Sequence, residues 1–505
     1  MATLLTASLI STFAGVGSLV FGFASTVVTA RMLGAHGTGL VAFAIWFATT
    51  ASTVAGLGIQ HIVLRYIGKP GNDEGREAGL ARALLTPFNL ATAITTLGML
   101  GWAAYQWSLG DEETTAVWIA TAIFYVIFAY ASIALSAARG TRDFADNARQ
   151  VFYGCVAQVP FVIVGAYFFG AAGALLGQMV RHLPTALSLR KYIAGPPTPA
   201  GLVTPAMYAY GRNNWFSSMI GLAIWTRIEF VFLGLNHATA DIGYFAVGMT
   251  LAGLVVQLPE QMSAALMPYF GRHHDNNDLE QLNRSYKRVF RWVGLFIFPV
   301  CFGGAAIMPE LLPLLFGESF IPAIPSATIL MATACITALT IFPSAMISAR
   351  ERSDFFLWAS PAMAVVMLVM LALVVPDNGA TGASIVRGIV HSIWLVMLSG
   401  FCWRRLSMVP PIVDLVKIGA SAALCAAGAV FVLQVQGGIL GLLMAIIAGG
   451  LIYLVALRLT GAIPDDDVEM LSDNLGHSLP APVVGLSLKM LQLIAPRRAS
   501  QAEAP

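Results

Sequence analysis

Charged residues are scarce in this 505-residue sequence, and their scarcity excludes several classes of protein. Lys, Arg, Asp and Glu make up 11% of the residues, whereas about a quarter is usual in soluble domains. Hydrophobic residues make up 57%, and the mean hydropathy is +0.76. The formal net charge is only +2 and the basic residues lie in short clusters, which argues against a nucleic-acid partner. The composition indicates an integral membrane protein.

Motifs for catalysis and cofactor binding are lacking as well. The five cysteines lie within apolar runs and form no Cys-x-x-Cys pair, so neither a disulfide framework nor a zinc site is indicated. No lysine stands in a Gly-x-x-x-x-Gly-Lys-Ser/Thr phosphate loop, so no nucleotide-driven engine is expected. The pair His273-His274 lies in a charged loop, where such residues are usually solvated. We expect no enzymatic activity, no cofactor and no metal.

Long apolar runs organise the chain. Runs long enough to cross the roughly 30 Å hydrocarbon core predict about fourteen helices, and their continuous apolar character argues against a β-barrel. The predicted spans cover residues 5–31, 38–64, 79–107, 115–138, 147–168, 170–192, 208–235, 240–267, 288–308, 324–349, 354–375, 379–402, 411–434 and 437–460.

Three pairs of segments recur in the same order at an offset of roughly 200 residues. The pairs are Leu33-Gly34 with Gly39 and Leu233-Gly234 with Gly243; Ala138–Phe144 and Ala349–Phe355; and Gly173 to His182 and Gly382 to His391. Such recurrence favours two halves of like topology, a parallel repeat known in some transporters. The sequence thus predicts an all-α integral membrane protein of two six-helix lobes in parallel pseudo-twofold repeat, plus two C-terminal helices. The predicted parts are an N-lobe (1–193), a proline-rich inter-lobe linker (194–207), a C-lobe (208–403), helices 13 and 14 (404–460) and a cytoplasmic tail (461–505).

Basic residues predict the orientation in the membrane. They cluster in the connections after even-numbered spans, whereas the connections after odd-numbered spans are nearly free of them. Basic connections stay cytoplasmic, so both termini are expected in the cytoplasm. The apolar stretch Val483 to Ile494, followed by Arg497-Arg498, either lies on the anionic inner leaflet or belongs to a loosely ordered tail.

The residues also resemble the polysaccharide-transporter branch of the multidrug/oligosaccharidyl-lipid/polysaccharide exporter superfamily, which includes O-antigen and exopolysaccharide flippases. The resemblance rests on the order and spacing of several short motifs over most of spans 1 to 12. They are Ala30–Gly34 with Gly39, Gly56-Leu57-Gly58 before Arg65-Tyr66, Asp241–Ala246, Pro268, Pro299 and Leu315–Phe320.

The resemblance implies two lobes around a cavity that opens alternately to each side of the inner membrane. The implied cargo is a polyprenyl-diphosphate-linked oligosaccharide repeat unit for lipopolysaccharide or exopolysaccharide, with membrane lipid and possible polymerase and glycosyltransferase partners. Two other functions remain open: a lipid-linked peptidoglycan-precursor flippase, and a drug/cation antiporter. The absence of Asp and Glu from Leu5 to Ala30 argues against the antiporter, since ion exchange would use buried acids.

Four arginines within the spans are candidates for binding such a cargo: Arg181, Arg387, Arg227 and Arg31. A charge at mid-span costs about 2.5 to 3.5 kcal/mol on insertion scales, so each should face a cavity or a partner. Arg181 and Arg387 occupy matching places in the two predicted repeats and would hold a diphosphate bidentately. Arg31 lies near a helix end, where a purely structural role is as reasonable. Gln178 and Gln257 are candidates for binding sugar hydroxyls.

Few groups are available for ion coupling. Glu229 and Glu260 are the carboxylates expected to be buried in the first twelve spans, and His182 and His391 could relay protons near neutral pH; hydrogen-bonded packing roles are the alternative for the histidines. Arg227 and Glu229 are two residues apart, so on one continuous helix they would point to different faces.

Overall fold

The computed structural model describes residues 2–68, 76–194, 202–275, 279–352, 354–462 and 464. These residues form α-helices, connecting turns and one 3₁₀-helix, Glu318–Ala323, and among them there is no β-strand, which confirms the predicted all-α class. The helices are α1 (Ala2–Ala55), α2 (Ile59–Tyr66), α3 (Arg76–Ser108), α4 (Glu112–Gly140), α5 (Phe144–Val180), α6 (Leu183–Ile193), α7 (Pro205–Trp225), α8 (Glu229–Asn236), α9 (Thr239–Asp275), α10 (Leu279–Ala306), α11 (Met308–Phe316), α12 (Ile324–Ala349), α13 (Asp354–Leu406), α14 (Ile412–Val435) and α15 (Gly438–Thr460).

Many of these helices are long and apolar enough to cross a bilayer. Ten candidate spans are found among the described residues. Their outward faces carry large apolar side chains, such as Leu357 and Leu459, which are 77% and 82% exposed, as expected where a helix contacts lipid instead of water. The chain is therefore a multi-pass membrane protein. The number fourteen and the two-lobe repeat remain predictions, and nearly all of the predicted tail lies outside the described residues.

Three of the long helices bend sharply at a glycine. The bends lie at Gly34 in α1, Gly170 in α5 and Gly379 in α13, where φ is 64°, 56° and 52°. Glycine adopts positive φ without the steric penalty of a Cβ. Each bend falls where the sequence predicted two successive spans to meet, so these spans join with almost no intervening loop.

The predicted span 208–235 is interrupted. Helix α7 ends at Trp225 with Thr226 extended, and α8 begins at Glu229. Arg227 therefore lies in a non-helical break. The expectation that Arg227 and Glu229 project from one continuous helix is wrong, because the backbone between them does not follow helical geometry.

The chain forms two compact units. The first comprises Met1–Val247, Leu315–Phe320 and Met367–Ala380, and the second comprises Gly248–Leu314, Ile321–Val366 and Thr381–Pro505. Tyr125 and Phe124 are buried in the core of the first unit. In the second unit the rings of Tyr286, Phe290 and Phe342 pack together at centroid distances of 4.9 and 5.8 Å.

Within the first unit, the two glycines that the sequence paired lie against each other. A Cβ on Gly39 would lie 2.0 Å from the carbonyl oxygen of Thr239, and a Cβ on Gly243 would lie 2.1 Å from that of Ala35. The contact is reciprocal, because each glycine faces the carbonyl four residues before the other one. Only residues without a side chain let two helix backbones approach this closely.

Two turns also share their geometry at an offset of 209 residues. Arg142 and Glu351 both have positive φ, 63° and 55°. The next amide in each turn donates to a carbonyl five residues earlier, Asp143 to Ala138 at 2.8 Å and Arg352 to Ile347 at 3.1 Å. Gly170 and Gly379 are separated by the same offset. The structural register thus differs by two residues from the pairing of Ala138 with Ala349 read from the sequence.

Candidate functional site

A stripe of small and polar residues runs along one face of α1 in the first unit. Ser18, Gly22, Ser25 and Thr29 follow at spacings of four, three and four residues, so they share one side of the helix. Ser25 and Thr29 are buried, with 0% and 2% of their surface exposed. The Thr29 hydroxyl donates to the Ser25 carbonyl at 2.8 Å, so its polarity is satisfied within the helix.

Two glutamines connect this stripe to α5. The Gln178 Nε2 donates to the Ser25 Oγ at 3.0 Å, and its Oε1 accepts from the Nε2 of Gln158. Gln158 is 1% exposed, and its Oε1 accepts no hydrogen bond from a described residue. Because a buried polar group without a partner is costly, this oxygen marks a place where a water or a ligand donor would be stabilised.

Arg181 follows the C-terminal end of α5 and reaches across to the same stripe. Its Nη2 donates to the Ser18 Oγ, and its Nη1 lies 3.2 Å from the position that a Cβ on Gly22 would take. The Arg181 backbone also packs against Gly154, where a Cβ would lie 2.2 Å from the Arg181 carbonyl oxygen. The side chain is half-buried. Gly22 on α1 thus leaves space for the guanidinium, and Gly154 on α5 leaves space for the Arg181 backbone.

A cavity of about 200 Å³ adjoins this arginine within the first unit. It is lined by Arg181, His182, Thr185, Phe128, Ala131, Ser132, Leu135 and Val151. The His182 ring stands edge-on to Phe124 and Phe128, at centroid distances of 5.7 and 5.1 Å. The Ser132 Oγ accepts a hydrogen bond from the Gln60 Nε2 at 2.9 Å. The cavity therefore combines one cation with hydroxyl and aromatic surfaces, a combination suited to an anion carrying sugar.

The remaining first-unit candidates lie elsewhere. Arg31 is exposed and donates its Nε to the Leu315 carbonyl at 2.8 Å, a contact that ties the end of the first predicted span to the segment 315–320. Arg227 lies with its guanidinium carbon 5.7 Å from the ring centre of Phe230. Glu229 is fully buried at the first turn of α8, where a carboxylate is favoured by the helix dipole.

The other candidates belong to the second unit. Arg387 is 9% exposed and His391 is 1% exposed, and the His391 Nδ1 is 2.9 Å from the Arg387 carbonyl oxygen. This contact is local to α13, as a packing role for His391 would require. Gln257 is half-buried, whereas the surface of Glu260 is left exposed by the other described residues.

The structure thus brings Arg181, Gln178 and His182 together and adds four residues that are not among the candidates predicted from the sequence. Ser18, Ser25, Gln158 and Ser132 complete the polar environment. A sequence signal existed for some of them. Gln158 is an amide within an apolar run, and the α1 residues keep helical periodicity.

The described residues hold no cluster of three or more His, Cys, Asp or Glu side chains that would bind a metal. The five cysteines are buried and free. The polar groups that the described residues bring to the candidate site are the Arg181 guanidinium, glutamine amides, the His182 ring, and serine and threonine hydroxyls.

Comparison with solved structures defines the class of protein. The structure is similar to a lipid II flippase MurJ in an inward closed conformation, with a TM-score of 0.71 and 13% identity over 89% of this chain and 98% of that one. It is also similar to an inward-facing multidrug resistance MATE family transporter of the MOP superfamily, with a TM-score of 0.60 and 16% identity over 77% of this chain and 94% of that one. A MOP superfamily transporter from Pyrococcus furiosus has a TM-score of 0.54 and 15% identity over 80% of this chain and 95% of its own. At these identities the likeness concerns the fold. The chain therefore has the fold of transporters of the MOP superfamily.

The sequence itself identifies the family. The profile of the family described as polysaccharide biosynthesis protein matches residues 28–325, more than half of the chain. This protein belongs to that family, which confirms the resemblance read from its motifs. Among proteins with curated functions, none matches the sequence significantly.

Proposed function

We propose that this protein is a flippase that moves polyprenyl-diphosphate-linked oligosaccharide repeat units across the inner membrane for surface polysaccharide synthesis. The observation that carries the proposal is the Arg181 site. A half-buried guanidinium borders a cavity that also presents Ser132 and Thr185. Membership of a polysaccharide biosynthesis family supports the cargo class.

The chemistry of the site suits both parts of this cargo. Arginine stays charged at any physiological pH, and its planar donors match two phosphate oxygens at once. Amides and hydroxyls, such as those of Gln178 and Ser132, exchange hydrogen bonds with sugar hydroxyls.

In the proposed mechanism, two parallel repeats alternate access to the cargo, and Arg181 and Arg387 are the arginines that bind its diphosphate. The shared 209-residue offset of the turns and glycine bends supports the repeat. At that offset His182 corresponds to His391, and Arg387 corresponds to Gln178, one turn from Arg181. Both termini are proposed to be cytoplasmic, and Glu229, Glu260 and the two histidines are the candidates for ion coupling.

Substitution of the two arginines tests this proposal. Charge-assisted hydrogen bonds contribute about 1.5 to 3 kcal/mol, so Arg181→Gln and Arg387→Gln should each slow export by about one to two orders of magnitude. The lysine variants should fall between wild type and the glutamine variants, since lysine keeps the charge but loses the fork. The measurement is surface polysaccharide, together with accumulation of the lipid-linked unit on the cytoplasmic side.

Arg190→Gln is the matched control, because Arg190 is an exposed arginine in the last turn of α6. Normal export by both Gln variants at wild-type protein abundance would refute the arginine assignment. Rescue of a strain that lacks its peptidoglycan-precursor flippase would instead assign that cargo, and drug efflux without any change in polysaccharide would favour the antiporter.

A further inference from the structure

A groove of about 600 Å³ lies on the second unit, where α13 begins and ends and α14 begins. Its base includes Phe355, which is 1% exposed and packs against Phe401 and Trp358 at centroid distances of 4.6 and 5.2 Å. Its volume lies within the range of about 300 to 1,000 Å³ that is typical of small-molecule sites. All residues that line the groove belong to the second unit, whereas those of the Arg181 cavity belong to the first.

The walls of the groove are apolar along the helices and basic at their ends. Val396 and Ile412 are 71% and 60% exposed, and both line the groove. Trp403 also lines it and is 58% exposed, in keeping with the preference of tryptophan for the interface between hydrocarbon and head groups. An occupant must therefore be apolar over most of its length.

Two arginines supply the polar end of the groove. Arg404 and Arg405 occupy the last turn of α13 and line the groove, and neither forms an ion pair with a described residue. Arg352, in contrast, is held bidentately by Asp354 at 3.0 and 3.1 Å. Among the described residues, no carboxylate neutralises Arg404 or Arg405 as Asp354 neutralises Arg352.

We propose that this groove binds a bilayer phospholipid with an anionic head group. The acyl chain lies along the apolar wall, and the phosphate meets Arg404 and Arg405. Basic pockets between transmembrane helices recognise anionic head groups in this manner. Along α13, the exposed Val396 is followed by Trp403 and then by Arg404 and Arg405, which is the order of a lipid from acyl chain to head group.

A larger side chain at Gly400 would fill part of the groove without overlapping other atoms at its Cβ. Gly400 lines the groove, and a Cβ on it would meet no atom within 4 Å. Gly400→Leu therefore places a side chain in the space reserved for the acyl chain. Gly450 in α15 is the matched control, because a Cβ there also meets nothing within 4 Å and the residue does not line the groove.

The experiment is native mass spectrometry of the full chain, delipidated in detergent and then titrated with phosphatidylglycerol or phosphatidylethanolamine of identical acyl chains. Wild type should retain phosphatidylglycerol preferentially. Arg404→Gln and Arg405→Gln should each weaken that retention about five-fold, and Gly400→Leu should abolish the tightest binding. Gly450→Leu and Arg190→Gln should behave as wild type.

Several outcomes would overturn the proposal. One is wild-type retention by Gly400→Leu; another is equal retention of both lipids that is insensitive to the arginine variants. Displacement of phosphatidylglycerol by polyprenyl phosphate at equal concentration would make the groove a cargo site instead. If binding were detectable only after truncation following Pro464, the tail, and not a bilayer lipid, would be the natural occupant.

Discussion

The close contact between Gly39 and Gly243 allows us to predict how much stability an added side chain would cost. Replacement of Gly39 by alanine puts a Cβ 2.0 Å from the Thr239 carbonyl oxygen, about 1 Å or more inside the closest normal approach. The two helix segments must separate by a similar distance. Overpacking of this kind costs about 1 to 3 kcal/mol, so Gly39→Ala should lower the stability of the folded protein by that amount.

Gly243→Ala should have an effect of similar size, because its Cβ would lie 2.1 Å from the Ala35 carbonyl oxygen. The double variant should cost clearly less than the sum of the two, since the first substitution already opens the shared contact. Gly98 is the control: a Cβ there meets no atom within 4 Å, and alanine favours a helix.

Thermal unfolding of the purified protein can be followed with a thiol-reactive dye, because all five cysteines are buried and free. Gly39→Ala and Gly243→Ala should unfold at lower temperature than wild type, and Gly98→Ala should not. An unchanged transition for Gly39→Ala, or strictly additive effects in the double variant, would refute the reasoning.

Three further predictions concern other regions. Gln178→Leu should lower stability by about 1 to 3 kcal/mol, measured in the same assay, because the buried Gln158 amide loses its acceptor; replacing both glutamines by leucine should restore part of the loss. In the turn between α4 and α5, burial raises the pKa of Asp143, but hydrogen bonds from Lys191 and Tyr192 outweigh it and lower that pKa below its usual value. The resulting stabilisation is present above the usual Asp pKa and is lost as the pH falls through the lowered pKa, so Asp143→Asn should flatten the decline of stability in acid; an equally steep decline would contradict this. A reporter fused after Pro505 should show cytoplasmic activity, and periplasmic activity would overturn the proposed topology.

Several helices were predictable to within a residue. The predicted span 324–349 has the bounds of α12, and the last two spans differ from α14 and α15 by at most one residue at either end. These helices lie between prolines, glycines or charged residues, which end an apolar run clearly. The break between α7 and α8 was missed, because residues 208–235 remain largely apolar through it. Arg227 was the available signal, since a charge inside such a run often accompanies non-helical backbone that faces other protein.

Only some residues of the candidate site could be predicted from the sequence. Arg181 and Gln178 stand out because charges and amides are rare in hydrocarbon. Ser18 and Ser25 do not, because serine in a membrane helix commonly bonds to its own backbone. The close approach of Gly154 to the Arg181 backbone depends on how α5 folds back at Gly170, and no local sequence pattern specifies that geometry.

The glycine bends at Gly34, Gly170 and Gly379 have a consequence for how the protein meets its surroundings. At each bend one long helix passes into the next predicted span without a loop. In the proposed topology all three bends face the periplasm. At these three positions the periplasmic side would then offer little extended chain for a protease, an antibody or a phage receptor-binding protein to bind, even though the proposed cargo would leave the membrane on that side.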